Sequence, residues 1–283
     1  MPFHQSPNTY VSHLNLRVHS LERSDDFYQN MLGLRLTINK DSSHSYSADG
    51  KTPLITLRED KQAPPHYSRS AGLYHVALLL PTRQDLAAIV YHLLRNDYPL
   101  QGGADHNVSE AVYLADPDGN GIELYRDRPA EEWEWTDGQV KMLTEELDAN
   151  LLREIQSDQW HRIPEQTILG HLHLQVADLA AAERFYCEGL GFAKVAQYGQ
   201  QASFLSTGGY HHHIGMNTWM SLGRAAMDAR SYGMADFTVT FPSETTRAQA
   251  VERLGKLGYA VQHQDTDYET LDSSNLHIKF AIK

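Results

Sequence analysis

The sequence predicts an α+β fold assembled from four related units, each a strand, a helix and several further strands. Three observations lead there: the length of the chain, an internal repeat at a fixed offset, and a second pair of segments built on a related plan. The 283 residues exceed what one hydrophobic core usually spans, so two similar domains or one large α/β barrel are the starting options. Hydrophobic residues make up 41% and charged residues 21%. Both values are near globular averages and exclude a disordered, collagen-like or coiled-coil protein.

The repeat decides between the options. Val11-Ser12-His13-Leu14-Asn15-Leu16-Arg17-Val18 and Leu169-Gly170-His171-Leu172-His173-Leu174-Gln175-Val176 are alternating strand patterns with a histidine in the same place. Downstream, Phe27-Tyr28 and Leu32-Gly33-Leu34 return 158 residues later as Phe185-Tyr186 and Leu190-Gly191-Phe192. Apolar pairs flanked by charges and followed by glycine predict an amphipathic helix with a glycine stop. A related plan links Gly72-Leu73-Tyr74-His75, which leads into Val76 to Pro81, with Gly233-Met234-Ala235-Asp236, which leads into Phe237 to Pro242. Helix-like stretches follow each, Arg83 to Asn96 and Glu244 to Leu257. The four units are therefore 10–60, 71–127, 168–219 and 232–283. Residues 129–167 carry Glu131-Glu132-Trp133-Glu134-Trp135 and a helical-looking run from Met142 to Ile155. They are too apolar for a loose tether and are expected to form a structured connector with both tryptophans packed.

Charge and composition narrow the partners. With 24 basic against 36 acidic residues, a net charge of −12 and no basic run, nucleic acid is excluded as a partner. No apolar stretch approaches the ~20 residues of a bilayer span, and Met1-Pro2-Phe3-His4-Gln5 has neither a basic flank nor an apolar core, so no membrane partner and a cytoplasmic location are expected. The single cysteine, Cys187, excludes an internal disulfide framework and reads as core. Sixteen histidines are the unusual feature.

Two of the acid–base residues stand out by position. His75 begins an apolar strand whose alternate residues point inward. Glu123 lies in mid-strand between Ile122 and Leu124, where an acid needs a compensating partner. In Tyr210-His211-His212-His213-Ile214, strand alternation would put His211 and His213 on one face and His212 on the other. His106 precedes the strand bearing Tyr113 and is a candidate for a pocket rim.

The fourfold repeat, a histidine near the start of a unit's first strand, and Asp116-Pro117-Asp118-Gly119-Asn120-Gly121-Ile122-Glu123-Leu124-Tyr125 closing another resemble the vicinal oxygen chelate superfamily of glyoxalases, bleomycin-resistance proteins and extradiol dioxygenases. The four-unit length, the run Gly208-Gly209-Tyr210-His211-His212-His213 and the closing strand look most like bacterial catechol-2,3-dioxygenases of the type I extradiol class. The resemblance covers nearly the whole chain. It implies βαβββ units paired into two cupped, partly open barrels, with a first domain over 1–127, a connector over 128–167 and a second domain over 168–283. It also implies Fe(II), with Mn(II) as the alternative, held by two histidines and a glutamate. Pairing of unit 2 with unit 3 would give His171, His75 and Glu123; pairing of neighbouring units would put His13 in place of His171. Relatives carry a His-His pair in the unit that donates the first ligand, and unit 3 has one whereas the equivalent stretch of unit 1 has none, which favours His171.

The same resemblance implies insertion of O2 into a small aromatic diol, a catechol, to give a 2-hydroxymuconic semialdehyde, as in aromatic hydrocarbon catabolism. His212 would be the acid–base residue, and Tyr113 would hydrogen-bond a metal-bound oxygen. Two other readings share the fold: a glyoxalase-like metal-dependent lyase or isomerase, and a non-enzymatic aromatic-ligand binding protein. Association through sheet edges into a homo-oligomer is also expected.

Overall fold

The computed structural model describes residues 2–64, 69–155, 160–224, 228, 230–265 and 267–283. The first unit comprises β1 (Tyr10–Val18), α1 (Leu21–Asp25), β2 (Arg35–Lys40), β3 (Ser43–Ser47) and β4 (Ile55–Glu59). The second comprises β5 (Gly72–Leu80), α2 (Arg83–Arg95), β6 (Leu100–Asp105), β7 (Ser109–Ala115) and β8 (Gly121–Asp127). The connector adds the short strands β9 (Trp135–Thr136), β10 (Gln139–Val140) and β11 (Glu145–Glu146). Unit three follows with β12 (Ile168–Gln175), α3 (Leu179–Glu183), β13 (Ala193–Tyr198), β14 (Ala202–Ser206) and β15 (Ile214–Asn217). Unit four closes the chain with β16 (Gly233–Phe241), α4 (Glu244–Lys256), β17 (Val261–Gln264), β18 (Asp267–Leu271) and β19 (His277–Ile282).

Two large sheets result, and each takes one unit from each half of the chain. The order β11-β6-β7-β8-β5-β12-β15-β14-β13 joins units two and three, and β17-β18-β19-β16-β1-β4-β3-β2 joins units four and one. Shared sheets therefore do not follow the division into 1–127 and 168–283. What links the units within each half is a different contact. Tyr28 donates its hydroxyl to buried Asp116 at 3.0 Å, and Tyr186 donates to buried Asp272 at 2.8 Å. The repeated Phe-Tyr motif is thus a tie from the helix of one unit to the turn before the last strand of the next. Burial raises the Asp116 carboxyl, and it raises that of Asp272 to about 6, which fits carboxyls held in apolar surroundings.

The helices that carry these tyrosines differ from plain α-helices. Each begins as a short α segment capped by Ser20 or Asp178. Each then widens into π-helical turns over Asp26–Met31 and Arg184–Leu190. The expected glycine stop holds at Gly191, which closes its helix at φ 93°. The thiol of Cys187 is half-buried beside the core and pushed up to about 11 by burial.

Strand alternation separates core from cup. Along β12, Leu172 and Leu174 join the main hydrophobic core shared by both sheets, where Leu14 and Leu16 of β1 also lie. The intervening His171 and His173 face the other way. The β5–β12 pairing slips at Gly170 and at Tyr74, two bulges that re-aim the flanking side chains. Gly170 has no room for a side chain: a Cβ there would come 1.9 Å from the Tyr125 hydroxyl.

The connector is ordered but not as predicted. The run from Met142 to Ile155 contains β11 and a 3₁₀ turn over Ala149–Glu154, not an α-helix. Side-chain ties override helix propensity there: Arg83 reaches Asp148 at 3.1 Å and Glu154 at 2.9 Å, and Leu147 covers Gly103. Of the two tryptophans, Trp133 is buried against Phe3 and Tyr210, while Trp135 is exposed. Among the described residues no helix is long and apolar enough to cross a membrane.

Several histidines are buried as neutral rings. His4 donates from Nε2 to the Gly170 carbonyl at 2.7 Å, while its Nδ1 has no partner, and burial lowers its pKa to about 4. In the unfolded chain the ring would bind a proton below about pH 6.5, whereas the folded chain refuses it until about pH 4. Stability should therefore be full above pH 6.5 and fall as the pH drops toward 4, by roughly 3 kcal/mol for this one group. Urea midpoints at pH 7.5 and 5 measure it: the difference should shrink in His4→Phe, and an unchanged difference would contradict the assignment.

Candidate functional site

Three adjacent strands deliver one acidic and two imidazole side chains to the same point. In the antiparallel pairing of β5 with β12, His171 lies opposite Ala77 and His173 opposite His75. In the parallel pairing of β5 with β8, Ala77 lies beside Glu123. The candidate ligand atoms of His75, Glu123 and His171 all fall within 4.8 Å of one another. Glu123 Oε2 lies 2.9 Å from His75 Nε2 and 3.3 Å from His171 Nε2. Gly121 lets the chain through beside them, because a Cβ there would meet the Tyr74 carbonyl at 2.2 Å.

The electrostatics suit a cation. Glu123 is only 3% exposed, and burial alone would raise its pKa. The adjacent imidazoles outweigh that, His171 foremost, and hold the carboxyl well below its usual range. Burial lowers the His171 pKa in turn, against the opposing pull of the Glu123 charge. His75 Nε2 is buried and, although close to Glu123, lies out of line for a hydrogen bond. An ionised carboxylate converging with two imidazoles, of which His75 Nε2 and His171 Nδ1 have no hydrogen-bond partner, forms a donor set that fits a divalent ion.

A cavity of about 750 Å³ opens over this cluster. Tyr113 lies directly across the ladder from Glu123, and burial, followed by the Glu123 charge, raises its hydroxyl pKa, so it stays protonated. That hydroxyl lies 2.7 Å from His106 Nε2, and His106 Nδ1 lies 2.7 Å from the Leu143 carbonyl. The carbonyl can only accept, so a neutral His106 donates from Nδ1 and accepts from Tyr113 at Nε2. His106 lines the cavity, as expected of a rim residue, and residues 139–144 of the connector line it too.

The histidine run has a different backbone from the expected strand. Residues 211–213 form a bend before β15, so simple alternation does not apply. Their burial still separates them: His212 lines the cavity and its ring centroid is 4.1 Å from that of His171, whereas His211 and His213 lie fully buried outside the lining. Burial keeps His212 well below the usual histidine pKa, with the neighbouring His171 adding to the effect.

His13 lies in the other sheet, away from this cluster. There His13 pairs with Thr238, Thr238 with Lys279, and Asn15 with Asp236. His13, Asp236 and Lys279 thus occupy the registers that His171, His75 and Glu123 occupy in the first sheet. Lys279 reaches Asp236 at 3.2 Å and His13 bonds Thr56 at 2.9 Å, so an ammonium group fills that position. Sequence reading missed the aromatic wall of the cavity, formed by His173, Tyr74, Trp219 and Phe204. His173 follows His171 by two residues, and that spacing was the available signal.

A profile of the Glyoxalase/Bleomycin resistance protein/Dioxygenase superfamily matches residues 10–124 and 168–273, and the chain belongs to that superfamily. A catechol-2,3-dioxygenase of Bacillus subtilis (strain 168) is 38% identical over 280 residues, covering 97% of this chain and 98% of that one. Among solved structures, a putative dioxygenase from Bacillus subtilis superposes with a TM-score of 0.69 at 15% identity, covering 96% of this chain and 84% of that chain. A mutant of glyoxalase I from Zea mays does so at 0.64 and 13% identity, covering 97% and 94%. At such identities both likenesses speak to the fold.

If the cluster holds one ion, Glu123→Gln should lower metal content after reconstitution by about tenfold or more, since it removes a charged ligand. His13→Ala should leave it unchanged. Elemental analysis after gel filtration measures both; loss of metal in the His13 variant alone would move the site to the other sheet.

Proposed function

We propose that this chain is an extradiol ring-cleaving dioxygenase that opens a catechol with O2, using Fe(II) held by His75, Glu123 and His171. The observation that carries the reading is the donor set itself: two imidazoles and one carboxylate gathered on one wall of an apolar cavity. The 38% identity to a protein named catechol-2,3-dioxygenase supports it. Fe(II) bound there would supply a redox-active Lewis acid with open positions for a diol and O2.

The chain's own residues would do the rest. His212, neutral because it is buried, is suited to accept a proton from a diol hydroxyl and return it later in the reaction. Tyr113, protonated and already donating to His106, would accept a hydrogen bond from a substrate hydroxyl through its remaining lone pairs. The rings of Tyr74, Trp219 and Phe204 would hold the aromatic ring and exclude water. A lyase or isomerase of the glyoxalase kind would need no O2, which separates the two readings by experiment.

Anaerobic loading with Fe(II), followed by catechol in air, should give a yellow product with stoichiometric O2 uptake. His212→Phe should keep its iron but slow ring cleavage by about 10²-fold or more. Turnover of a hemithioacetal without oxygen, and none of catechol, would replace the reading with the lyase.

A further inference from the structure

Behind His212 lies a chain of hydrogen bonds that reaches away from the cavity. His212 and His211 meet Nδ1 to Nδ1 at 2.8 Å, an unusual contact between consecutive side chains. The other nitrogen of His211, Nε2, lies 2.8 Å from Asp127 Oδ1. The Tyr210 hydroxyl donates to the same oxygen at 3.2 Å and lies 2.8 Å from the Tyr125 hydroxyl. His211 has no exposed surface, and the edge of Trp133 packs on it with ring centroids 5.1 Å apart. Asp127 does not line the cavity, whereas His212 does.

Bond direction follows from donor and acceptor chemistry. A carboxylate accepts only, so the hydrogen of the Asp127–His211 contact sits on His211 Nε2. A neutral His211, its one ring proton spent there, keeps its lone pair on Nδ1. The Nδ1–Nδ1 contact needs one donor and one acceptor, so His212 must donate from Nδ1. A neutral His212 then has its lone pair on Nε2, the nitrogen left to the cavity.

We infer that Asp127, acting through His211, is a positioning residue that fixes His212 in the Nδ1–H tautomer, so that its basic nitrogen faces the substrate. The catalytic consequence rests on the proposed dioxygenase reading; the tautomer itself does not. Of the two tautomers of a neutral ring, only this one can accept a diol proton at Nε2 without first exchanging a hydrogen with water. The device is local in space but remote in sequence, since Asp127 ends β8 and the histidines precede β15.

Long-range proton–nitrogen correlation spectra of protein labelled with 15N-histidine, loaded with diamagnetic Zn(II), test it at pH 8. The His212 signals are identified by their absence in His212→Asn. The wild type should show a protonated Nδ1 and a bare Nε2. Asp127→Leu should lose that preference, and Asp127→Asn, whose amide oxygen still accepts from His211, should restore it. In the Fe(II) enzyme, Asp127→Leu should lower kcat by about 10- to 100-fold with unchanged KM and iron content, again with rescue by Asn. A wild-type His212 protonated at Nε2, or a tautomer indifferent to Asp127→Leu, would overturn the inference. If Asp127→Leu does not fold, the wild-type spectrum still decides. The intended tautomer in a protein without catechol cleavage would sink the dioxygenase reading and leave the tautomer assignment standing.

Discussion

An ionised carboxylate taken out of water costs on the order of several kcal/mol unless charge is supplied beside it. Glu123 sits at the middle of a nine-stranded sheet, with Ile122 and Leu124 fully buried on either side. The two nearest groups that could compensate it are the imidazoles of His75 and His171, whose Nε2 atoms lie 2.9 and 3.3 Å from its Oε2. A buried carboxylate between two imidazoles, with His75 Nε2 and His171 Nδ1 lacking hydrogen-bond partners, is a set that a divalent ion would complete. Most of what surrounds the cluster can be understood as geometry needed to hold those three groups at one point.

That geometry is built by irregularities in otherwise regular strands. The bulges at Gly170 and Tyr74 turn side chains of β12 and β5 into the cup, and the Asp116 turn, tied to Tyr28, feeds β8 into the sheet. The other sheet keeps the same plan, with register slips near His13 and Asn15, but offers a lysine where the glutamate stands. Duplicated architecture and unequal chemistry coexist because the scaffold depends on apolar alternation, while the site depends on three side chains.

Those parts of the molecule were unequally legible in the sequence. The repeat, the strand–helix units and the oddity of His75 and Glu123 in apolar strands could be read directly, because alternation and misplaced charge are local signals. The Phe-Tyr motif was visible as a repeat, but its purpose was not: the partner of Tyr28 is 88 residues away. Separation in sequence also hid the tie from His211 to Asp127, 84 residues apart, and that from His106 to Leu143, 37 residues apart. The connector misled because residues 142–155 have helical composition while ion pairs with Arg83 and packing on Gly103 decide their conformation. Periodicity reports the face a residue takes, not the distant partner that overrides it.

Anomalous diffraction at the iron edge, on crystals loaded anaerobically, addresses the centre of the account most directly. The peak should lie at about 2.0–2.2 Å from Nε2 of His75, Nε2 of His171 and an oxygen of Glu123, the distance typical of such ligands on a divalent ion. A peak beside His13, or an ion that bypasses Glu123, would contradict it.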